Sequence, residues 1–265
     1  MPWDEVRDLD ARFGTTGWWH SPTTHVYVSP VGEGLWELAA RAWHDPAVHS
    51  ASKVSWGVPV ANEHVESHFT VGHPTSSYLS RRQELATQRR VFSALTMLTK
   101  EYIPPIREAL ARVPAGGWRE FAAFAGPELG TLTAWGQRVV LVGDSSHALS
   151  GAFGSGAGFA MEDGWVLAQA LALCRRDRRR RALDLFAAVR LPYYARMYAH
   201  LGAEAARRAA RLAEIRRAEG RPPSFDERVA NKVIHDGGAD MSWIYEHDVG
   251  ATWREFVKVL GEVGE

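Results

Sequence analysis

Residues 139–165 read VVLVGDSSHALSGAFGSGAGFAMEDGW, and this stretch decides the fold. It opens on Val139-Val140-Leu141-Val142, a continuous aliphatic run of the kind that forms a strand buried on both faces of a sheet. The run stops at Gly143-Asp144. After a turn rich in Ser and Gly comes Gly154-Ser155-Gly156-Ala157-Gly158, and then Phe159, Met161, Trp165, Leu167 and Leu171 recur at roughly helical spacing. The predicted order is strand, glycine-rich loop, helix. A helix start leaves backbone N–H groups unpaired and carries partial positive charge, so such a loop can take an anionic or electron-rich ligand at close range. Asp144, at the carboxyl end of its strand, stands where open α/β sheets place ligand-contacting side chains, and its carboxylate suits sugar-like hydroxyls. Glycine-rich strand-to-helix turns also occur purely for packing.

Together with Ala134-Trp135-Gly136-Gln137-Arg138 just before it, the stretch resembles the second flavin motif of FAD-dependent aromatic monooxygenases, the p-hydroxybenzoate and salicylate hydroxylase family. The resemblance implies that Asp144, in the Gly143-Asp144 pair, binds the flavin ribityl chain. It also implies that the amides of the loop and helix start, from Gly154 through Gly156, Ala157 and Gly158, contact the isoalloxazine ring. Ser145-Ser146 stands where the family often has Ala-Ala, Gly151 where many members have proline, and Gly158 where many have Asn. These departures loosen the loop without removing a charged ligand.

With 265 residues the chain has room for one large or two ordinary domains. Hydrophobic content of 46% and charged content of 23% are those of a globular protein. Thirty-one basic residues balance thirty-one acidic ones, so net charge gives no pointer to nucleic acid. A lone Cys174 excludes an intramolecular disulfide and suits a reducing compartment. No apolar run approaches the ~20 residues of a membrane span, and the acidic amino terminus lacks an apolar signal core, so a cytoplasmic location is expected.

Upstream, residues 17–60 read as β-structure. His25-Val26-Tyr27-Val28-Ser29-Pro30 alternates, Val31-Gly32-Glu33-Gly34 is a turn, and 35–43 returns as a strand, its spaced aromatics outweighing the helical preference of Leu and Ala. Val54–Val60 is a third extended piece. This segment resembles the antiparallel sheet of the family's substrate domain, which makes Trp19, His25 and Tyr27 candidate substrate contacts, although alternation sends half of such side chains away from any one pocket. The histidines lack a metal-ligand spacing, and no metal is expected. Residues 71–100 interrupt the family-like passage with polar, arginine-bearing sequence and read as an insertion or a translated intron. Residues 105–132 read as helical.

Downstream, Arg175–Arg181 holds six arginines around Asp177 and reads as a solvated turn. Ala182–Leu201 is a helix interrupted or kinked near Pro192, whose Arg190-Leu191-Pro192-Tyr193 resembles the family's packing helix. Residues 203–219 form a separate exposed helix, and the tail around Trp243–Gly250 docks back. No G-x-G-x-x-G turn opens the chain, so the resemblance covers residues 13–200 with only the carboxyl-terminal half of the family pattern. The expected class is α/β, α+β in this fragment. Residues 1–134 form a mostly antiparallel substrate-domain sheet with helices, 135–200 the carboxyl-terminal part of a Rossmann-like FAD domain, and 201–265 a helical tail. Such a fragment is expected to be unstable alone or to need a partner. The resemblance implies FAD as cofactor, NAD(P)H as co-substrate, and hydroxylation of a small, salicylate-like aromatic through a flavin hydroperoxide, with no catalytic side chain assigned. Two alternatives are a catalytically dead remnant acting as an interaction module, and a serine hydrolase suggested by Gly143-Asp144-Ser145-Ser146-His147.

Overall fold

The computed structural model describes residues 1–42, 57–63, 65, 102–149, 151–174, 179–238 and 240–263. The stretch 71–100, residues 54–56 and residues 175–178 lie outside them, so the insertion reading and most of the arginine run fall there. The chain divides into two units, Met1–Ala122 with Pro222–Val233, and Ala123–Arg221 with Ile234–Glu265. Both are mixed α/β with antiparallel pairing, so the expected class holds.

The first unit is built on three antiparallel strands, β1 (Gly17–His20), β2 (Thr24–Gly32) and β3 (Leu35–Ala42), in the order β1-β2-β3. The β2–β3 hairpin closes on Glu33 and Gly34, both with positive φ of 51° and 69°, between the paired Gly32 and Leu35. Two central residues of that hand make the turn whose twist suits a hairpin. Alternation puts Val26 and Val28 on one face, where they are buried in one cluster with Phe13, Trp36 and Ile106. Trp36 donates its indole N–H to the Phe13 carbonyl at 3.0 Å. Helix α1 (Pro104–Ala111) starts with prolines in its first turn, where the missing N–H costs nothing, and contributes Ile106, Ala109 and Leu110 to this core. Val58–Pro59 (β4) does not extend the three-stranded sheet. It pairs with Arg119–Glu120 (β5).

The helical reading of 105–132 fails beyond Ala111. Pro114 and the Gly116-Gly117 pair, Gly116 at φ 76°, end helix formation, and the chain runs on through β5 and irregular backbone.

In the second unit, β6 (Thr133–Ala134) and β7 (Val139–Val140) form an antiparallel pair around a turn with Trp135, Gly136 and Gln137 all at positive φ. The expected strand 139–142 is therefore shorter and less buried than read. Val139 and Val140 are half-buried and Val142 is exposed, because β7's sheet neighbour among the described residues is β6 alone. Helix α2 (Asp144–His147) follows at once, then a tight turn at Ala152–Gly154 and the long α3 (Gly156–Leu173).

Of the residues whose spacing predicted α3, Phe159 is buried and Leu167 packs against the core, and the other three point outward. The buried stripe of α3 is Phe159, Asp163, Val166 and Ala170, whereas Met161 is 72% exposed, and Trp165 and Leu171 are also exposed. The helix is apolar on most sides, so spacing among large residues did not mark the buried one.

Helix α4 runs unbroken from Arg179 to Glu219 through Pro192, so the two helices expected for 182–201 and 203–219 are one. Leu185, Phe186, Val189, Tyr194 and Met197 pack into the same core as α3, which offsets the ~3 kcal/mol cost of an interior proline. Gly220, at φ 64°, ends the helix and donates its N–H to the Arg216 carbonyl. After α5 (Phe225–Gly238) come α6 (Ser242–Tyr245) and α7 (Val249–Val263). Ile244 and Trp253 are buried in this core, so the tail does dock back.

Candidate functional site

The site is assembled where β7 hands over to α2 and α3. Gly143 stands at φ 57°, ψ −142°, backbone that side-chain-bearing residues avoid, and a Cβ there would meet the Ala160 Cβ at 3.0 Å. This glycine lets the chain turn out of the strand while lying against α3. Asp144, the first residue of α2, is exposed, and its Oδ1 lies 3.8 Å from where a Gly156 Cβ would stand. The chain therefore brings Asp144 to the start of α3.

At that start, Ser155 makes no side-chain cap. The first helical hydrogen bond to the cap residue runs from the Phe159 N–H to the Ser155 carbonyl at 3.0 Å, so Gly156, Ala157 and Gly158 precede the intrahelical ladder. Nothing lies within 4 Å of the Cβ positions at Gly154 and Gly158, and Ala157 is exposed. An acceptor carboxylate, three uncapped helix-start amides and two open glycine faces fit a ligand that has both hydroxyls and an electron-rich ring edge.

The approach to this helix start is strained. Phe153 holds a left-handed backbone at φ 68°, rare for a residue with a side chain. Its ring packs among Phe159, His200 and Trp243 at centroid distances of 6.3, 5.9 and 6.4 Å. The Tyr245 hydroxyl donates to its carbonyl at 2.9 Å.

Beneath the loop lies a buried polar cluster that sequence reasoning missed. Asp163 is fully buried on α3. Its Oδ2 accepts the Gly143 N–H at 2.8 Å and the His147 Nε2–H at 2.9 Å. Its Oδ1 accepts Arg190 Nε–H at 2.8 Å and the Tyr194 hydroxyl. Burial alone pushes this carboxyl up, but the His147, Tyr194 and Gly143 donors and the Arg190 charge outweigh it and hold the group below the usual carboxylate range. Arg190, also buried, lies over the Tyr193 and Tyr194 rings at 5.0 and 5.1 Å and has Nη1 2.9 Å from Glu162 Oε2. Burial, then Glu162, pushes the Tyr193 hydroxyl up to about 12. Glu162 Oε1 in turn meets His247 Nδ1 at 3.1 Å. No spacing in the sequence marks the cluster, because α3 is apolar on most sides and carries Glu162 and Asp163 side by side.

The cluster also answers the serine hydrolase reading. Ser145 Oγ donates to the Val142 carbonyl at 2.7 Å, Ser146 Oγ donates to the Gly143 carbonyl at 2.9 Å, and His147 gives its Nε2–H to Asp163. His147 Nδ1 has no partner among the described residues, so neither serine is paired with a base.

In the first unit, strand alternation separates the three substrate candidates. Trp19 points to the core side, packed on Phe13 at 5.5 Å. His25 and Tyr27 share the other face, with Trp18 5.1 and 4.7 Å from their rings. Burial, followed by the charges of Lys232, Arg41 and His20, lowers His25 to about 4, so its imidazole is neutral near pH 7. Lys232 is held there by the Ser21 and Thr24 carbonyls at 3.4 and 3.2 Å.

No family model matches the chain, and no curated protein gives a significant match. Among solved structures it is similar to the crystal structure of CtdE in complex with FAD and substrate 4, at a TM-score of 0.59 and 18% identity. The match covers 100% of this chain and 56% of that one, so the chain spans about half the length of CtdE. At that identity the likeness concerns the fold alone. No helix among the described residues is long and apolar enough to cross a membrane.

Proposed function

We propose that the chain carries the flavin-facing part of an FAD-dependent monooxygenase acting on a small aromatic, salicylate-like substrate with NAD(P)H as reductant. One observation carries this reading: the exposed Asp144 carboxylate beside Gly156 at the uncapped, glycine-lined start of α3. The likeness in fold to an FAD complex supports it. In this reading Asp144 accepts hydrogen bonds from the ribityl hydroxyls, and the Gly156, Ala157 and Gly158 N–H groups donate to the ring edge. Gly143 and Gly154 shape the backbone around the cofactor. The partial positive charge at the helix start favours negative charge on the ring. Bound FAD would supply the hydride acceptance and the oxygen chemistry, and the protein orientation and exclusion of water. His25 and Tyr27 are the proposed substrate contacts. The neutral imidazole offers one donor and one acceptor beside an aromatic surface.

Titrating residues 1–265 with FAD while following flavin fluorescence tests the assignment. Saturable quenching is expected, weakened about tenfold or more in Asp144→Ala, as fits loss of a hydrogen bond to a charged acceptor. Equal affinity in wild type and variant overturns the role of Asp144, and no quenching in either overturns the flavin reading. The alternative, a cofactor-free interaction module, is favoured by the exposed Met161, Leu171 and Leu173. It predicts no quenching at any flavin concentration.

A further inference from the structure

The Asp163 cluster has no part in contacting a ligand: its carboxylate is fully buried, and four donors already occupy its two oxygens. Its placement is nevertheless specific. Oδ2 receives one bond from Gly143, the residue preceding α2, and one from His147, the last residue of α2. The helix between those bonds is a single turn, too short to hold itself in place, and Asp144 is its first residue.

Oδ1 meanwhile is fixed to α4 through Arg190, itself held between two tyrosine rings and beside Glu162. The carboxylate therefore cannot rotate without breaking bonds on both sides. Gly143 packs on Ala160, one helical turn before Asp163, which brings the same short turn against α3 a second time.

We propose that Asp163 is a positioning residue. By pinning both ends of α2 to α3 through one oxygen, it directs the Asp144 carboxylate toward the start of α3. This rests on the reading of Asp144 as the ribityl contact, and it adds a cause for that residue's geometry. His147 acts in the same device as the removable half of the clamp. Glu162 pairs with Arg190 through Nη1, and its other oxygen meets His247.

Three variants test it. Asp163→Asn removes the charge. His147→Leu removes one bond while leaving Arg190 paired, and His147→Gln keeps a terminal N–H at similar reach. Two readouts are taken on residues 1–265: amide hydrogen exchange by mass spectrometry, and the FAD dissociation constant. In Asp163→Asn and His147→Leu, exchange across 143–148 is expected to accelerate and FAD affinity to fall about tenfold, the scale of lost supporting bonds around a binding group. His147→Gln is expected to restore both, and peptides of the β2–β3 hairpin to exchange as in wild type. Should Asp163→Asn fail to fold, the His147 pair carries the comparison. Wild-type exchange in His147→Leu, or equal loss in Leu and Gln variants, overturns the clamp. Accelerated exchange with no FAD binding even in wild type supports the clamp and overturns the flavin reading.

Discussion

Gly143 is the residue on which the candidate site turns. Its backbone conformation and its approach to Ala160 both exclude a side chain, so Gly143→Ala is expected to lower stability by about 2 kcal/mol, read as a fall in the thermal midpoint. His25 gives a second expectation. Its folded value near 4 lies below the ordinary 6.5, so the folded state binds fewer protons than the unfolded one between those limits. Stability is then full above about pH 6.5 and declines as pH falls toward 4. Following the ring protons by NMR should show His25 unprotonated at pH 5.5, and His25→Phe should flatten the acid limb of the stability curve. Titration near 6.5 would contradict the burial that the sheet imposes.

At the scale of elements, the β2–β3 hairpin offers a stabilising test. Glu33 occupies a left-handed position that favours Asn, in the Asn-Gly order of the commonest two-residue turn. Glu33→Asn should raise stability by about 0.5 kcal/mol, visible as a higher thermal midpoint. Truncating Phe159, buried where α3 meets its core, should cost about 3–5 kcal/mol in Phe159→Ala. These elements were legible because their signals are local. Gly-containing turns flanked by alternating residues announce a hairpin, and the glycine run followed by apolar sequence announces the start of α3. The helix face was not legible, since α3 is apolar nearly all round and tertiary contacts, not spacing, select Phe159, Asp163, Val166 and Ala170. Continuity of α4 through Pro192 was hidden for the same reason. The placing of Asp144 beside Gly156 could be anticipated from a motif, whereas the bonds that join Asp163 to Gly143, His147 and Arg190 span up to 27 residues and leave no periodic trace.

At the scale of the whole molecule, the second unit leaves Met161, Leu171, Leu173 and Val259 exposed. Exposed apolar side chains in this number favour association. Light scattering on residues 1–265 should therefore show mass rising with concentration, and Met161→Glu with Leu171→Gln should suppress it. A concentration-independent monomer mass would show that this surface is not adhesive. The unit is also tied together across long stretches of chain. The Tyr245 hydroxyl that holds the Phe153 carbonyl comes from 92 residues further on, and Trp243 beside it closes the aromatic cage. A nascent chain grows from its amino terminus, so the Tyr245 bond to the Phe153 carbonyl and the Trp243 contact with its ring form only once the chain has been synthesised as far as α6.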